Sequence, residues 1–218
     1  MRLLVLPGVF RPISDTRMLA DSVRAHVRAG QTRALDLCTG SGAIAIAAAT
    51  AGARTSAVDI SRRATLNAKL NARLNRVRLD VRRGDLFEPF AGERFDLIAS
   101  NPPYLPGPTE ELPDGGPERA WDAGLDGRAL LDRICLEAPK HLRAQGTLLV
   151  IHSSLIGAEE TVECLRRRDL EADIIHRVRG PLGPLMSSRA AELEARGLLA
   201  SGVREEELLV IRAVSQAL

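Results

Sequence analysis

One four-residue run could hold a planar nitrogen in place for chemistry: Asn101, Pro102, Pro103 and Tyr104. It follows directly after an apolar stretch at residues 95–100. Two consecutive prolines cannot continue a central strand, and they restrict the backbone to a rigid, extended turn. We expect the turn to aim the side-chain carbonyl of Asn101 and the backbone carbonyl of Pro102 at a substrate with an amide or amino NH2 group. Tyr104 would cover that planar group by stacking.

A second candidate site is the glycine-containing segment from Asp36 to Gly42, which lies between an apolar run and an alanine-rich helical pattern. In a doubly wound α/β sheet, the first strand-to-helix turn binds nucleotide-like ligands, because glycines let the backbone approach and the helix N-terminus offers free amides. The glycine spacing is shorter than in the dinucleotide fingerprint, which disfavours a pyrophosphate site. A purely structural tight turn is the alternative.

Two acidic residues end the next two apolar runs. Asp59 lies where a carboxylate can accept hydrogen bonds from both hydroxyls of a ribose. It could instead cap the helix that begins near Ser61, although Ser61 can do so itself. Asp85 lies where a carboxylate can accept from an adenine amino group while Leu86 packs on the ring. The two residues predict a nucleoside site beside the glycine-containing turn.

A regular alternation of apolar runs and helical patterns must position these residues. We predict strands over residues 34–38, 55–59, 77–82, 95–100, 147–152, 174–178 and 208–214. We predict helices over residues 16–29, 43–51, 62–74, 127–143, 158–168 and 188–196, with Asp15 as the N-cap of the first. The alternation predicts a doubly wound, seven-stranded and mainly parallel sheet in which the last strand is antiparallel.

Two irregular stretches interrupt this pattern. Residues 102–127 are rich in proline, glycine and acidic side chains, which predicts a long loop after the fourth strand. Residues 180–202 form an insertion before the last strand and could act as a substrate lid. We expect one domain over residues 1–218, with an N-terminal segment and helix in residues 1–30.

Composition excludes several classes of protein. The chain carries 30 Lys and Arg against 28 Asp and Glu, a net charge of +2, which argues against stable nucleic-acid binding. Three scattered cysteines indicate neither a disulfide framework nor a metal cluster, and they suit a reducing cytoplasm. No stretch approaches the ~20 apolar residues of a membrane span. His152 ends a predicted strand and could face either the cleft or solvent.

Taken in order, DLCTGSGAIAIAAA, Asp59, GDLF and NPPY resemble class I S-adenosylmethionine-dependent methyltransferases that act on planar nitrogens. Residues 10–16 and 116–133 extend the likeness to HemK-type protein-glutamine N5-methyltransferases, in particular the shorter subgroup without an N-terminal helical domain. The resemblance covers roughly residues 8–178. Three features depart from it: Cys38 replaces a usual glycine, Ser14 replaces a frequent acid, and the insertion is longer than usual.

The resemblance implies S-adenosyl-L-methionine as cofactor, S-adenosyl-L-homocysteine as product and no metal. It assigns cofactor contacts to Thr16, Asp36, Cys38, Thr39, Gly40, Gly42, Asp59, Ile60, Asp85, Leu86 and Asn101. It assigns the reaction itself to Asn101, Pro102, Pro103 and Tyr104. Because the sulfonium is already a strong electrophile, alignment matters most and no general base is expected.

The acceptor and the partners follow from the same resemblance. It favours a protein glutamine, typified by the Gly-Gly-Gln loop of a release factor, and the acidic loop would then contact a flexible peptide. A small molecule or peptide natural product, an adenine N6 amino group and a catalytically idle binding module are the alternatives. Some related short enzymes require an activator subunit that adds a strand to the sheet. Charges along residues 76–83 usually protect an edge from pairing, so we expect the chain to act alone.

Overall fold

The structure is a computed structural model that describes residues 1–216. Seven strands form one sheet in the order β3-β2-β1-β4-β5-β7-β6. Their bounds are β1 (Arg33–Leu37), β2 (Arg54–Asp59), β3 (Leu79–Arg83), β4 (Phe95–Ser100), β5 (Leu142–Ser153), β6 (Leu170–Pro181) and β7 (Glu205–Ser215). The first five strands run parallel, and β7 is antiparallel to both β5 and β6. The predicted fold class is therefore confirmed.

Seven α-helices accompany the sheet in the described residues. Their bounds are α1 (Ser14–His26), α2 (Ala43–Thr50), α3 (Arg62–Leu74), α4 (Ala129–His141), α5 (Ala158–Arg166), α6 (Pro184–Ser188) and α7 (Ala190–Ala195). The predicted helix at 188–196 is present as α7, and the unpredicted short helix α6 precedes it, with Pro184 at its first position. The prediction that Asp15 is the N-cap of α1 was wrong: Ile13 occupies that position, and Asp15 lies buried in the first turn.

The core has two layers, one on each face of the sheet. Along β5, Leu148 and Val150 join the layer that contains Phe87 and the buried face of α4, whereas Leu149 and Ile151 join the layer under α1 and α2. This alternation follows from the two-residue period of a strand. Both faces of the central strands are thus apolar and covered, which places the polar site residues at the strand ends.

The strands β6 and β7 run further than their apolar runs predicted. On either side of the exposed Val178 the pair is held by cross-strand ion pairs, Arg177 with Glu207 and Arg179 with Glu205. Opposite charges across a pair of strands stabilise it without apolar side chains. Hydrophobic periodicity therefore underestimates the length of these strands.

The insertion between β6 and β7 packs on the loop that follows β4. Its short helices share an apolar cluster with that loop, formed by Leu105, Leu182, Met186, Ala190, Leu193 and Leu199. Arg189 pairs with the buried Asp122 of the loop. Arg196 donates to two loop carbonyls, those of Gly107 and Leu125. The insertion is thus docked on the Asn-Pro-Pro-Tyr segment rather than projecting from the fold.

Three asparagines spaced four residues apart hold the N-terminal segment in an extended form: Asn67 and Asn71 on α3 and Asn75 at its C-cap. Asn75 accepts from the backbone N–H of Arg2 and donates to the carbonyl of the same residue. Asn71 does the same with Leu4. Asn67 accepts from the N–H of Leu6 and donates to the carbonyl of Leu4. The chain then crosses towards α1 along the carboxyl edge of the sheet.

No helix within residues 1–216 has the length and apolar character needed to cross a membrane.

Candidate active site

A cavity of about 420 Å³ lies at the carboxyl ends of the parallel strands. Ligand sites in open α/β sheets lie at this edge, and the volume suits a small-molecule ligand. The predicted site residues that line it are Thr16, Cys38, Thr39, Gly40, Asp59, Ile60, Asp85, Leu86, Asn101, Pro102, Pro103 and Tyr104. Asp36 and Gly42 do not line the cavity and lie beneath the turn that does.

The turn after β1 has an unusual backbone. Cys38, Gly40 and Gly42 have φ angles of 54°, 53° and 85°. At Gly42, an added Cβ atom would lie 3.0 Å from the Cα atom of Ala68, so a side chain does not fit between α2 and α3. Successive left-handed and right-handed residues turn backbone amides towards one side, where they can bind polar or negatively charged groups. The turn therefore presents main-chain donors at the start of α2.

Asp36 shapes this turn from below. One carboxylate oxygen accepts from the hydroxyl of Thr39 at 2.6 Å and from the backbone N–H of Ala45 at 3.0 Å. The other oxygen, Oδ1, is occluded and has no partner within residues 1–216. Burial raises the pKa of Asp36 from 3.8 to about 7. The side chain thus joins the strand end, the turn and the helix by hydrogen bonds.

Asp59 ends β2 at the rim of the cavity. Its carboxylate accepts from the backbone N–H groups of Gly40 and Ser61, each at 2.9 Å. Ser61 itself caps α3 by accepting from the N–H of Ala64. Asp59 is therefore not the helix cap, and burial raises its pKa. Its carboxylate is fixed in orientation and retains lone pairs for further donors.

Asp85 forms an ion pair that the sequence did not reveal. Its Oδ2 atom accepts from Nη2 of Arg133 at 2.7 Å. Arg133 lies on α4, 48 residues further along the chain, and also lines the cavity. Leu86, next to Asp85, is buried with a φ of 44°. Arg133 reaches this position because α4 packs on α5 and β5 and shares an apolar cluster with Leu86 and Phe87.

The Asn-Pro-Pro-Tyr segment is tied to the first turn of α1. Asn101 donates from Nδ2 to the hydroxyl of Thr16 at 3.3 Å, which leaves its Oδ1 atom free to accept. Thr16 donates in turn to Oδ1 of Asp15 at 3.1 Å. The hydroxyl of Tyr104 donates to Oδ2 of the same carboxylate at 3.2 Å. Burial and the nearby carboxylates of Asp15 and Glu206 hold the pKa of Tyr104 well above its ordinary value.

Glu206, at the start of β7, also lines the cavity and was missed by the sequence analysis. The residue is 9% exposed, and Oε1 accepts from the backbone N–H of Gly183 at 2.7 Å. Because β7 is antiparallel, its first residues lie at the same edge as the last residues of the parallel strands. A run of three glutamates in the sequence, at residues 205–207, gives no signal that only the middle one faces a cavity.

His152 faces neither the cleft nor solvent. It is fully buried and does not line the cavity. Burial lowers its pKa to about 4, so the ring is neutral near pH 7. Within residues 1–216, no group of three or more His, Cys, Asp or Glu residues could hold a metal ion.

The cavity has two halves. The β1–β3 half contains Cys38, Thr39, Gly40, Asp59 and Asp85, and the β4–β7 half contains Asn101, Tyr104, Asp15, Met186 and Glu206. Oriented carboxylates and free backbone amides are the groups that a nucleoside with ribose hydroxyls requires, so the β1–β3 half fits such a cofactor. The β4–β7 half offers an oriented amide oxygen to a second ligand. The arrangement suits transfer of a group from a nucleoside cofactor to a polar acceptor.

Comparisons with known proteins agree with this arrangement. A protein-family model described as "Methyltransferase small domain" matches residues 1–112. A protein of Methanocaldococcus jannaschii, named as a candidate protein N5-glutamine methyltransferase, is 36% identical over 88% of this chain and 96% of the relative. A release factor glutamine methyltransferase of Geobacter sulfurreducens is 37% identical over 73% of this chain. A ribosomal protein uL3 glutamine methyltransferase of Bradyrhizobium diazoefficiens is 42% identical over 54% of this chain.

The matches with the last two relatives span only 57% and 39% of their own lengths. Two solved structures share the fold. The Mtq2–Trm112 complex of E. cuniculi has a TM-score of 0.66 at 20% identity, covering 96% of this chain and 99% of that one. The T. thermophilus 16S rRNA methyltransferase RsmC, solved with AdoMet and guanosine, has a TM-score of 0.65 at 19% identity. The match covers 99% of this chain and 49% of that one.

The predicted resemblance is confirmed by these matches. The family model covers half of the chain, and the archaeal relative is covered over almost its whole length. The shared fold and the two-part cavity are consistent with both findings. The chain therefore belongs to the small-domain methyltransferases and is an S-adenosylmethionine-dependent enzyme of the HemK type.

Proposed function

We propose that this enzyme methylates the side-chain amide nitrogen of a protein glutamine. The names of its relatives support this acceptor class. One is named for a protein N5-glutamine, one for ribosomal protein uL3 and one for a release factor. The orientation of Asn101 carries the proposal. Its NH2 group is engaged by Thr16, so its oxygen is the atom available to an amide NH2 in the cavity.

The cofactor would occupy the β1–β3 half. Asp59 would accept from the ribose hydroxyls, and Asp85, steadied by Arg133, would accept from the adenine amino group beside Leu86. The remaining contacts proposed from the sequence would come from Thr16, Cys38, Thr39, Gly40 and Ile60, all of which line the cavity, while Asn101 lines it on the acceptor side. Asp36 and Gly42 would act indirectly, by fixing the turn. The bound sulfonium supplies an activated methyl group.

The protein's own contribution is alignment and electrostatics. The Oδ1 atom of Asn101 and the carbonyl of Pro102 would accept the two hydrogens of the acceptor amide. These contacts hold the nitrogen in line and stabilise the positive charge that develops on it. The ring of Tyr104 would cover the planar amide while its hydroxyl stays on Asp15. None of the histidines in residues 1–216 lines the cavity, in keeping with a reaction that needs no general base.

Incubation with isotopically labelled S-adenosylmethionine tests the acceptor class. We expect a class 1 release factor or uL3 to gain one methyl group on a glutamine side chain, located by peptide mapping in a mass spectrometer. DNA, RNA and free amino acids serve as competing acceptors in the same assay. Labelling confined to nucleic acid or to small molecules would overturn the proposal. Because these candidate proteins belong to the translation machinery, the proposal places the reaction in the cytoplasm.

We also propose that the enzyme acts without an activator subunit. The related Mtq2 structure contains Trm112, but here the side chains of the edge strand β3 are already engaged. Arg82 pairs with Asp80 and Glu93, each at 2.7 Å, and its guanidinium lies 4.3 Å from the centre of the Phe90 ring. Charged edge side chains disfavour the addition of a strand. Turnover by the purified chain alone is the expected result, and a strict requirement for a second protein would contradict it.

A further inference from the structure

Glu206 has an unused acceptor in the β4–β7 half of the cavity. The residue is 9% exposed, and one carboxylate oxygen is fixed by the backbone N–H of Gly183. The other oxygen has no hydrogen-bond partner within residues 1–216 and is not among the occluded atoms of the structure. A buried carboxylate is stable only when donors or cations satisfy it. The cavity in front of this oxygen is therefore the place for a donor from a ligand.

The sheet topology indicates which ligand this is. The cofactor half lies over β1, β2 and β3, whereas Glu206 lies on the opposite side of Asn101, at the start of β7. Two strand spacings, about 9–10 Å, separate β4 from β7. A glutamine side chain extends about 5 Å from its Cα atom. With its amide on Asn101, an acceptor glutamine would thus bring its own backbone, or that of a neighbouring residue, within reach of Glu206.

We propose that Glu206 is an acceptor-binding residue that receives a hydrogen bond from a backbone N–H of the substrate peptide, at or next to the methylated glutamine. This inference rests on the proposed function. A peptide backbone N–H loses its water when it enters the cavity and then needs an acceptor of this kind. The first turn of the insertion, at Gly183, holds the carboxylate in position, and Leu185 and Met186 line the cavity beside it.

The number of free acceptors favours a backbone N–H over a basic side chain. A lysine ammonium carries three donors and would require several acceptors in this half. The nearby carboxylate of Asp15 already accepts from Thr16 and Tyr104. One free oxygen on Glu206 matches a single N–H donor. The site would therefore recognise the peptide by the position of its backbone N–H and not by the charge of a neighbouring side chain.

The variant Glu206→Gln tests the proposal with little change in shape. Its oxygen can still accept from Gly183, but an NH2 group then replaces the free oxygen. We expect the KM for a Gly-Gly-Gln peptide to rise about tenfold to a hundredfold, the size of a lost hydrogen bond to a charged group. The dissociation constant for S-adenosylhomocysteine, measured by calorimetry, should stay within about twofold. The matched control is Glu207→Gln, whose side chain pairs with Arg177 outside the cavity and should leave both values unchanged.

Peptides with a backbone ester test the same contact in the wild-type enzyme. Replacement of one N–H by an ester oxygen, at the glutamine or at either neighbouring residue, should raise KM about tenfold at one of these positions. The same ester should have no added effect in Glu206→Gln. Absence of such coupling, or loss of S-adenosylhomocysteine binding in the variant, overturns the inference while glutamine methylation stands. Failure of the wild-type enzyme to methylate any glutamine overturns the proposed function together with it.

Discussion

The β1–β3 half and the β4–β7 half of the cavity differ in how far along the chain their parts lie from one another. In the β1–β3 half, Asp36 bonds to Thr39 three residues away, and Asp59 bonds to Gly40 nineteen residues away. In the β4–β7 half, Asn101 bonds to Thr16 across 85 residues and Tyr104 bonds to Asp15 across 89. The first half is thus built mainly from turns and strand ends, and the second from contacts between distant elements.

The difference suggests a division of labour. The cofactor-binding half consists mainly of local turns, with Arg133 of α4 as its distant contribution, whereas the acceptor half requires α1, the loop after β4 and the insertion to pack correctly. Changes in the second half should therefore affect the acceptor without disturbing the cofactor. Changes in the first half should affect the stability of the fold itself, because its carboxylate lies under the first strand-to-helix turn.

Asn101→Ala should show the largest effect. Loss of the oriented amide oxygen should lower kcat about 10²- to 10³-fold, as for other groups that stabilise developing charge. The dissociation constant for S-adenosylhomocysteine should change by no more than about twofold. The exposed residue Gln31, outside the cavity, supplies the control Gln31→Ala. Equal loss of turnover and of cofactor binding would show that the two halves are not separable.

Asp36→Asn should change the pH dependence of stability. Burial raises the pKa of Asp36 to about 7, so the folded state carries a penalty above pH 7 that disappears below about pH 4, where the carboxyl is protonated in both states. The free energy of unfolding of the variant, minus that of the wild type, should increase by about 2–4 kcal/mol between pH 4 and pH 8. Denaturant titrations at each pH measure this. The exposed acid Glu171 gives the control Glu171→Gln, for which the difference should stay constant.

Arg189→Leu should loosen the β4–β7 half alone. It leaves Asp122, which is 6% exposed, without its charged partner and should lower the free energy of unfolding by about 2 kcal/mol, the cost of an unsatisfied buried acceptor. The KM of the acceptor should rise while S-adenosylhomocysteine binding is retained. Arg204→Leu removes a more exposed ion pair, between Glu194 of the insertion and a residue just after it, and should lower the stability less than Arg189→Leu does. Similar losses in both variants would mean that docking of the insertion does not depend on Asp122.

Cys38→Gly should have the smallest effect and tests whether the turn in the β1–β3 half is strained. Cys38 has a φ of 54°, a conformation that glycine adopts without strain. Cys38→Ala removes the thiol but keeps the strain, so the glycine variant should be more stable than the alanine variant by about 1 kcal/mol in thermal unfolding. If alanine were the more stable, the turn would not be strained at this position.

Sequence patterns predicted the local half better than the distant one. The period-two and apolar runs located all seven strands, and the order of Asp59, Asp85 and Asn101 at strand ends placed them on one cavity. Arg133 and Glu206 escaped because each looks like an ordinary charged residue of a helix or strand until the sheet order is known. Asp15 was misassigned for a related reason. Its carboxylate looked suited to a helix cap, but it accepts a hydrogen bond from Tyr104, which lies 89 residues further along the chain.

The three asparagines along α3, Asn67, Asn71 and Asn75, match the N-terminal segment over only a limited length. Each asparagine with the backbone that it binds is called a rung. Each rung advances two residues of extended chain, about 6.6 Å, against four residues of helix, about 6.0 Å. The mismatch of roughly 0.6 Å accumulates with every rung, and at the third, Asn67 already donates backwards to Leu4 instead of to Leu6. One turn further back on α3, Arg63 still donates from its guanidinium to the carbonyl of Pro7 at 2.8 Å, after which residues 8–13 help to line the cavity. A small mismatch of periods thus accompanies a change in the kind of contact, from the paired bonds of an asparagine amide to the single bond of a longer and more flexible arginine.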